Sequence, residues 1–228
     1  VTSVGLSIRG WVGPGLTVRL GASGLGISRN TTVDDTLWPG QSTPSATYRT
    51  TDGGANWVLA QAGPRGEIFA PSATIAVDHT VFMGGHTGFN GGVYRSLDDG
   101  QTWTLVLNIV LTSVRSLAIS PAYAVDQTLV AATDSNVRIS RNSGATFTVF
   151  SSALERNFIA VNRPGQTPVW YWKNRYDDQT WILNRSEDYL ASGTKLRGIG
   201  VPREPLTYAF HTDARAASPP RASGRPGT

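Results

Sequence analysis

Cleaving a glycosidic bond takes two carboxyl groups flanking it, or a carboxyl group beside a nucleophilic tyrosine. This chain has four glutamates for such work, Glu67, Glu155, Glu187 and Glu204. No catalytic residue is assigned. Glu67 and Glu155, which fall in links between repeated units, are the two a hydrolytic reading would use. Arg65, Arg115 and Arg156 lie near the same links, and three guanidinium groups in one place could clamp a carboxylate through paired N–H···O bonds. A second series, Arg49, Arg95 and Arg138, recurs along strands and reads as surface residues with buried stems. The run Gly84-Gly-His-Thr-Gly-Phe-Asn-Gly-Gly92 reads as the longest loop on the link-bearing face. Binding residues concentrate on such loops, which makes His86, Phe89 and Asn90 the ligand contacts. His79, His86 and His211 are isolated in sequence, and there is no Ser–His–Asp set, zinc-ligand spacing or phosphate-binding loop. No metal site and no cofactor is expected.

Three copies of one turn must position these residues. The segments Tyr48 to Leu59, Tyr94 to Val106 and Val137 to Val149 each read as strand, tight turn, strand, in the order Ser/Thr-x-Asp-x-Gly-x-x-aromatic. Thr50, Asp52, Gly54 and Trp57 form the first, Ser96, Asp98, Gly100 and Trp103 the second. In the third, Ser140, Asn142, Gly144 and Phe147 take the same places. The hydroxyl and the Asp or Asn oxygen can accept from N–H groups that a sharp turn leaves unpaired. The glycine can take a positive φ, and the aromatic supplies a large apolar surface to the strand it opens. Asp52, Asp98 and Asn142 could also be read as a metal ring, but each is better used inside its own turn. Asp34, Asp78 and Asp126 recur in Val-Asp-x-Thr elements and read as loop caps. The valines of those elements are spaced 44 and 48 residues apart. A period of that size with four short strands per unit is that of a β-propeller blade.

From Leu25 to Phe150 this pattern resembles the Asp-box (BNR) repeat of sialidases, sortilin-type receptors, photosystem assembly propellers and some xyloglucanases. The resemblance implies an all-β fold of β-propeller-type blades, each a four-stranded antiparallel sheet. In that family the box is a folding device, usually remote from the binding face. Sialidases use an arginine triad to hold a carboxylate, but the Arg-Ile-Pro element that usually opens their domain is missing here.

The repeat divides the chain into blades at 25–60, 68–107 and 114–150 and a degenerate one at 158–200. In the last, Arg175-Tyr-Asp-Asp-Gln-Thr-Trp181 looks like the second box without its glycine. Residues 1–24 read as one or two strands (Leu6 to Val12, Leu16 to Leu20), part of an incomplete blade. Residues 201–228 are rich in Pro, Ala and Arg and are expected to be largely disordered. About four blades make a small or partial propeller, and an open arc would expose end blades through which copies could self-associate. The tryptophans and tyrosines at Trp170, Tyr171, Trp172, Tyr176 and Trp181 read as strand packing, with sugar stacking as the alternative.

Charge excludes some partners. The net charge is +4, yet acids and bases balance as far as Thr194. The surplus comes from Lys195, Arg197, Arg203, Arg215, Arg221 and Arg225, set against Glu204 and Asp213. The body therefore has no basic face for nucleic acid. No apolar run is long enough to span a membrane, and no signal peptide is visible in the sequence. Cysteine is absent, so there is no disulfide framework. The expected role is a non-catalytic scaffold, extracellular or on a bacterial surface, that binds a glycan or protein ligand. A sialidase-like or xyloglucanase-like hydrolase fragment and a structural subunit of a surface complex are the alternatives.

Overall fold

The computed structural model describes residues 22–28, 36–42, 45–62, 64–151, 155–163, 165–175, 181–188, 190–191 and 194–196. The strands expected before Ala22 and the tail after Leu196 lie outside the described residues. Sixteen strands and two short helices are described, and the strands form four four-stranded sheets. The first sheet holds β1 (Ala22–Ile27), β2 (Leu37–Ser42), β3 (Ser45–Arg49) and β4 (Val58–Ala62). The second holds β5 (Arg65–Pro71), β6 (Val81–Thr87), β7 (Asn90–Ser96) and β8 (Thr104–Ile109). The third comprises β9 (Val114–Ile119), β10 (Leu129–Thr133), β11 (Val137–Ser140) and β12 (Thr148–Ser151). In the fourth are β13 (Glu155–Val161), β14 (Val169–Arg175), β15 (Trp181–Ser186) and β16 (Thr194–Leu196). Each sheet is an antiparallel meander in chain order.

The sheets are stacked through their first strands, β1 against β5, β5 against β9 and β9 against β13. Among the described residues no comparable contact joins β13 to β1. Between consecutive sheets lies a core, built by the two-residue alternation of strands buried on both faces. On β6, Val81 and Met83 join Trp38, Tyr94 and Trp103 on the side of the first sheet. Phe82, between them, joins Val114, Leu117 and Leu129 on the other side. On β10, Leu129 and Ala131 face that same core, whereas Val130 and Ala132 pack with Phe158, Trp170 and Trp172. Trp170 and Trp172 are therefore packing residues, with the Trp172 ring stacked 5.7 Å from Phe158.

Two expectations are corrected. The run from Gly84 to Gly92 is not a loop: β6 continues to Thr87 and β7 begins at Asn90, leaving Gly88 and Phe89 as the turn. Its glycines answer to crowding, since a Cβ on Gly85 or Gly91 would collide with the backbone carbonyl of Arg65 or Thr112. The fourth turn is also elsewhere. The Ser186 hydroxyl donates to Asp188 Oδ1 (2.6 Å) and accepts from the Leu190 amide (3.0 Å), so Ser186-Glu-Asp-Tyr-Leu190 is the true copy. Leu190 stands in the place of the glycine at φ 64°. Its side chain, 2% exposed in the third core, holds it there.

The second and third Val-Asp-x-Thr elements contain a helical turn, α1 (Ile75–Asp78) and α2 (Tyr123–Asp126), each ended by a left-handed residue, His79 or Gln127; the Asp34 element lies outside the described residues. Asp78 accepts from Ser72 Oγ (2.6 Å) and the Thr80 amide (2.9 Å), and Asp126 repeats this with Ser120 and Thr128. The His79 carbonyl then accepts from the Asp99 amide (3.0 Å), and the Gln127 carbonyl from Ser143 (3.1 Å). These segments and the Asp/Asn turns thus share one end of the second and third sheets.

Gly100 has φ 82°, and a Cβ there would fall on the indole nitrogen of Trp38, which is fully buried. Gly88, at φ 61°, has open space around it. Gly100→Ala should therefore cost about 3 kcal/mol or more, and Gly88→Ala about 1–2 kcal/mol from backbone strain alone, in urea unfolding. Leu190→Gly should be destabilising by about 2 kcal/mol or more, because the lost burial outweighs the relief of positive φ.

Candidate functional site

The repeated turns are closed systems. In the first, the Thr50 hydroxyl donates to Asp52 Oδ1 (2.6 Å) and accepts from the Gly54 amide (3.1 Å). Asp52 in turn accepts from the Asn56 amide (2.9 Å). Ser96, Asp98, Gly100 and Thr102 repeat the pattern at 2.6, 2.8 and 2.9 Å. Ser140, Asn142, Gly144 and Thr146 do so with 2.9 Å throughout. The indoles of Trp57 and Trp103 lie over Gly54 and Gly100, where a Cβ would come within 3.2 Å of the ring, while Phe147 packs against the second core. The Asp52 carboxyl is held at a pKa of about 2, first by the Thr50 hydroxyl and then by Asn56. For Asp98 partial burial acts upward, but hydrogen bonds from Ser96, Thr102 and Gln101 outweigh it and the value is lowered. The acids are consumed in their own turns, and among the described residues no group of three metal-ligating side chains forms.

The turns also fasten consecutive sheets. Trp38 Nε1 donates to the Asp99 carbonyl (2.8 Å), and Arg95 Nη1 to the Ser143 carbonyl (2.8 Å). Arg95 is thus a structural donor and not a freely exposed strand residue. A shallow hollow lined by Arg95, Leu97, Asp98, Thr102 and Thr104 lies on this side, and its carboxylate is already satisfied.

A different set gathers at the opposite end of the sheets, where inner strands begin. Arg65 opens β5 and pairs in register with His86 near the end of β6. Glu67 binds Arg65 Nη2 through Oε1, and its Oε2 lies 3.0 Å from His86 Nε2. That approach is not aligned as a hydrogen bond, so His86 Nε2 is buried with an ionic neighbour but no hydrogen bond, and Arg65 Nε and Thr112 Oγ1 are buried with no hydrogen bond either. On the next sheet Arg115, the second residue of β9, donates from Nε to Asp134 Oδ1 (2.7 Å) and from Nη2 to Oδ2 (2.9 Å). These bonds raise the Arg115 pKa, opposed by burial and helped by the charges of Asp134 and Glu67. The two groups therefore sense each other electrostatically.

Phe89, 88% exposed, crowns the β6–β7 turn. Next to it Asn90 Oδ1 accepts from the Leu111 amide (3.3 Å). Glu155 and Arg156 open β13 at the corresponding end, paired with Asn174 and Lys173; their side chains lie outside the described residues. The structure thus brings together Arg65, Glu67, His86 and Arg115. It adds Asp134, which could have been found as the acid one strand across from Arg115. It does not give an open carboxylate clamp, because Arg65 and Arg115 each already hold an acid.

No family model matches the chain, and no curated protein does. Solved structures are similar to it. A GH74 xyloglucanase from Xanthomonas campestris shares 15% identity at a TM-score of 0.58, over 78% of this chain and 30% of that one. A putative TolB from Agrobacterium tumefaciens gives 10% and 0.53, over 75% and 63%. An oligogalacturonate lyase in complex with manganese gives 10% and 0.52, over 76% and 52%. These are likenesses of fold. The chain is built of β-propeller blades. It spans less than two thirds of each of these chains. Among its described residues no helix is long and apolar enough to cross a membrane.

The lowered pKa values of Asp52 and Asp98 set the sign of a pH effect. An unfolded carboxyl near 3.8 binds protons that the folded one refuses, so their contribution is present above about pH 5 and lost as pH falls towards 2. Asn142 shows that an amide can close the same turn. Asp52→Asn with Asp98→Asn should therefore fold, be less stable than the parent at pH 7, and approach it as pH falls, read from urea midpoints.

Proposed function

We propose that the chain is an Asp-box propeller protein, or part of one, acting outside the cell or at its surface. In this reading it binds a glycan through the end face bearing Arg65, Glu67, His86, Arg115 and Asp134. The supporting observation is the half-buried set of polar groups that this face gathers from two sheets, with Arg65 Nε, His86 Nε2 and Thr112 Oγ1 left without a hydrogen bond. Buried polar atoms normally find partners, and convergent ones beside an exposed apolar surface are a frequent form of ligand site. Phe89 supplies that surface, an aromatic ring on which the C–H face of a sugar can lie.

A hydrolase reading rests on Glu67 and Glu155, which stand at corresponding ends of β5 and β13. Against it, Glu67 has one oxygen bound to Arg65 and the other beside His86, an environment that suits a fixed carboxylate better than a proton donor. A structural-subunit reading has the chain assemble through its end sheets.

A glycan array followed by calorimetry on the best hit tests the proposal. Phe89→Ala should weaken binding by about two- to tenfold, the range for loss of an aromatic contact. Glu67→Gln should weaken it by about tenfold or more, as expected for a hydrogen bond to a charged group. Turnover of fluorogenic glycosides that disappears with Glu67→Gln or Glu155→Gln would replace the binder with the hydrolase. Concentration-dependent assembly without glycan binding would favour the structural subunit.

A further inference from the structure

We infer that this face reads an uncharged saccharide and not a sialic or uronic acid. The inference rests on the glycan-binding reading above and narrows it. Charge is balanced at both arginines described on the face. Arg65 is paired with Glu67, and Arg115 with Asp134. A ligand carboxylate drawn to either described arginine would meet a protein carboxylate at nearly the same distance. The two Coulomb terms would then largely cancel, leaving the cost of desolvating the ligand charge. On Arg115 the Nε–Nη2 edge, the one that grips a carboxylate in bidentate fashion, is already occupied by both oxygens of Asp134.

A sugar hydroxyl meets no such conflict. It can donate to a carboxylate while accepting from a guanidinium, and an arginine–carboxylate pair offers both side by side. The flank of the face is apolar as well: Phe89 is 88%, Val110 66% and Leu111 79% exposed. The bond between Asn90 and Leu111 holds the tips that carry them together. Such a wall suits pyranose C–H groups and does nothing for a negative charge.

The test uses pairs of oligosaccharides that differ only in charge: lactose and 3′-sialyllactose, oligogalacturonide methyl ester and its free acid, and xylo-oligosaccharides without and with glucuronic acid. Calorimetry on the full chain is run at low and at high salt. The neutral member of at least one pair should bind about threefold more tightly or better, with an affinity that salt barely changes, since no net charge is neutralised. Asp134→Asn keeps an acceptor for the Ser113 amide but leaves Arg115 uncompensated. It should gain about fivefold or more for the acidic member, in a salt-sensitive way. Glu67→Gln should shift the preference in the same direction through Arg65, so the test does not depend on one variant folding. Preference of the parent chain for the acidic member, or no shift of preference in either folded variant, overturns the inference and leaves the glycan reading standing. Binding of none of the six probes overturns both.

Discussion

In each of the four turns a single buried hydroxyl works in two directions. Thr50, Ser96, Ser140 or Ser186 donates to a side-chain oxygen two residues on and accepts from the amide four residues on. Neither partner can be spared in a water-poor turn, since an unmet amide or hydroxyl there costs about 1–3 kcal/mol. Satisfying both closes the chain into a left-handed bend whose outward carbonyl belongs to the residue before the glycine. That carbonyl accepts from Trp38 in one case and from Arg95 in another, each a residue of the preceding sheet. A local turn thereby becomes a joint between sheets, and the cores form beneath it.

The division of labour between the two ends of the sheets follows. At one end, acids are spent on backbone amides, with carboxyl pKa values lowered and no charge to spare. At the other, acids meet arginines along one strand or across neighbouring strands of one sheet, and some buried polar atoms have no hydrogen bond. The first arrangement specifies shape, and the second is the face at which binding is proposed. A scaffold in which binding groups sit at the starts of inner strands can alter them without disturbing the turns that hold it.

Much of this was legible in the sequence because the turn depends on residue types that few other contexts require together. Three intact copies announced themselves. The fourth copy was misread because Leu190 carries the left-handed conformation expected of glycine. The run from Arg175 to Trp181 resembles the second box in its residue types alone, and it joins the end of β14 to the start of β15. The glycines from Gly84 to Gly92 misled in the opposite sense: they permit close approach of neighbouring backbones, a cause that leaves no mark in the sequence. At the candidate site, Arg65, Glu67, His86 and Arg115 could be assigned to one face by counting strands. Their acid partners were within reach as well, Glu67 two residues on from Arg65 along β5 and Asp134 one strand across from Arg115, but the side-chain geometry that closes both pairs was not legible.

Among the described residues the cores lie between consecutive sheets, through contacts of β1 with β5, β5 with β9 and β9 with β13. Each sheet therefore finds its packing partner in the segment synthesised just before it. A chain leaving the ribosome can add one sheet at a time to a surface already made, and keeps only its newest sheet without a covered face. Contacts that are short-range along the chain also favour rapid ordering. The same linear arrangement would let sheets be gained or lost by duplication and deletion of a single coding unit, with the charge pairs at the strand starts carried along intact.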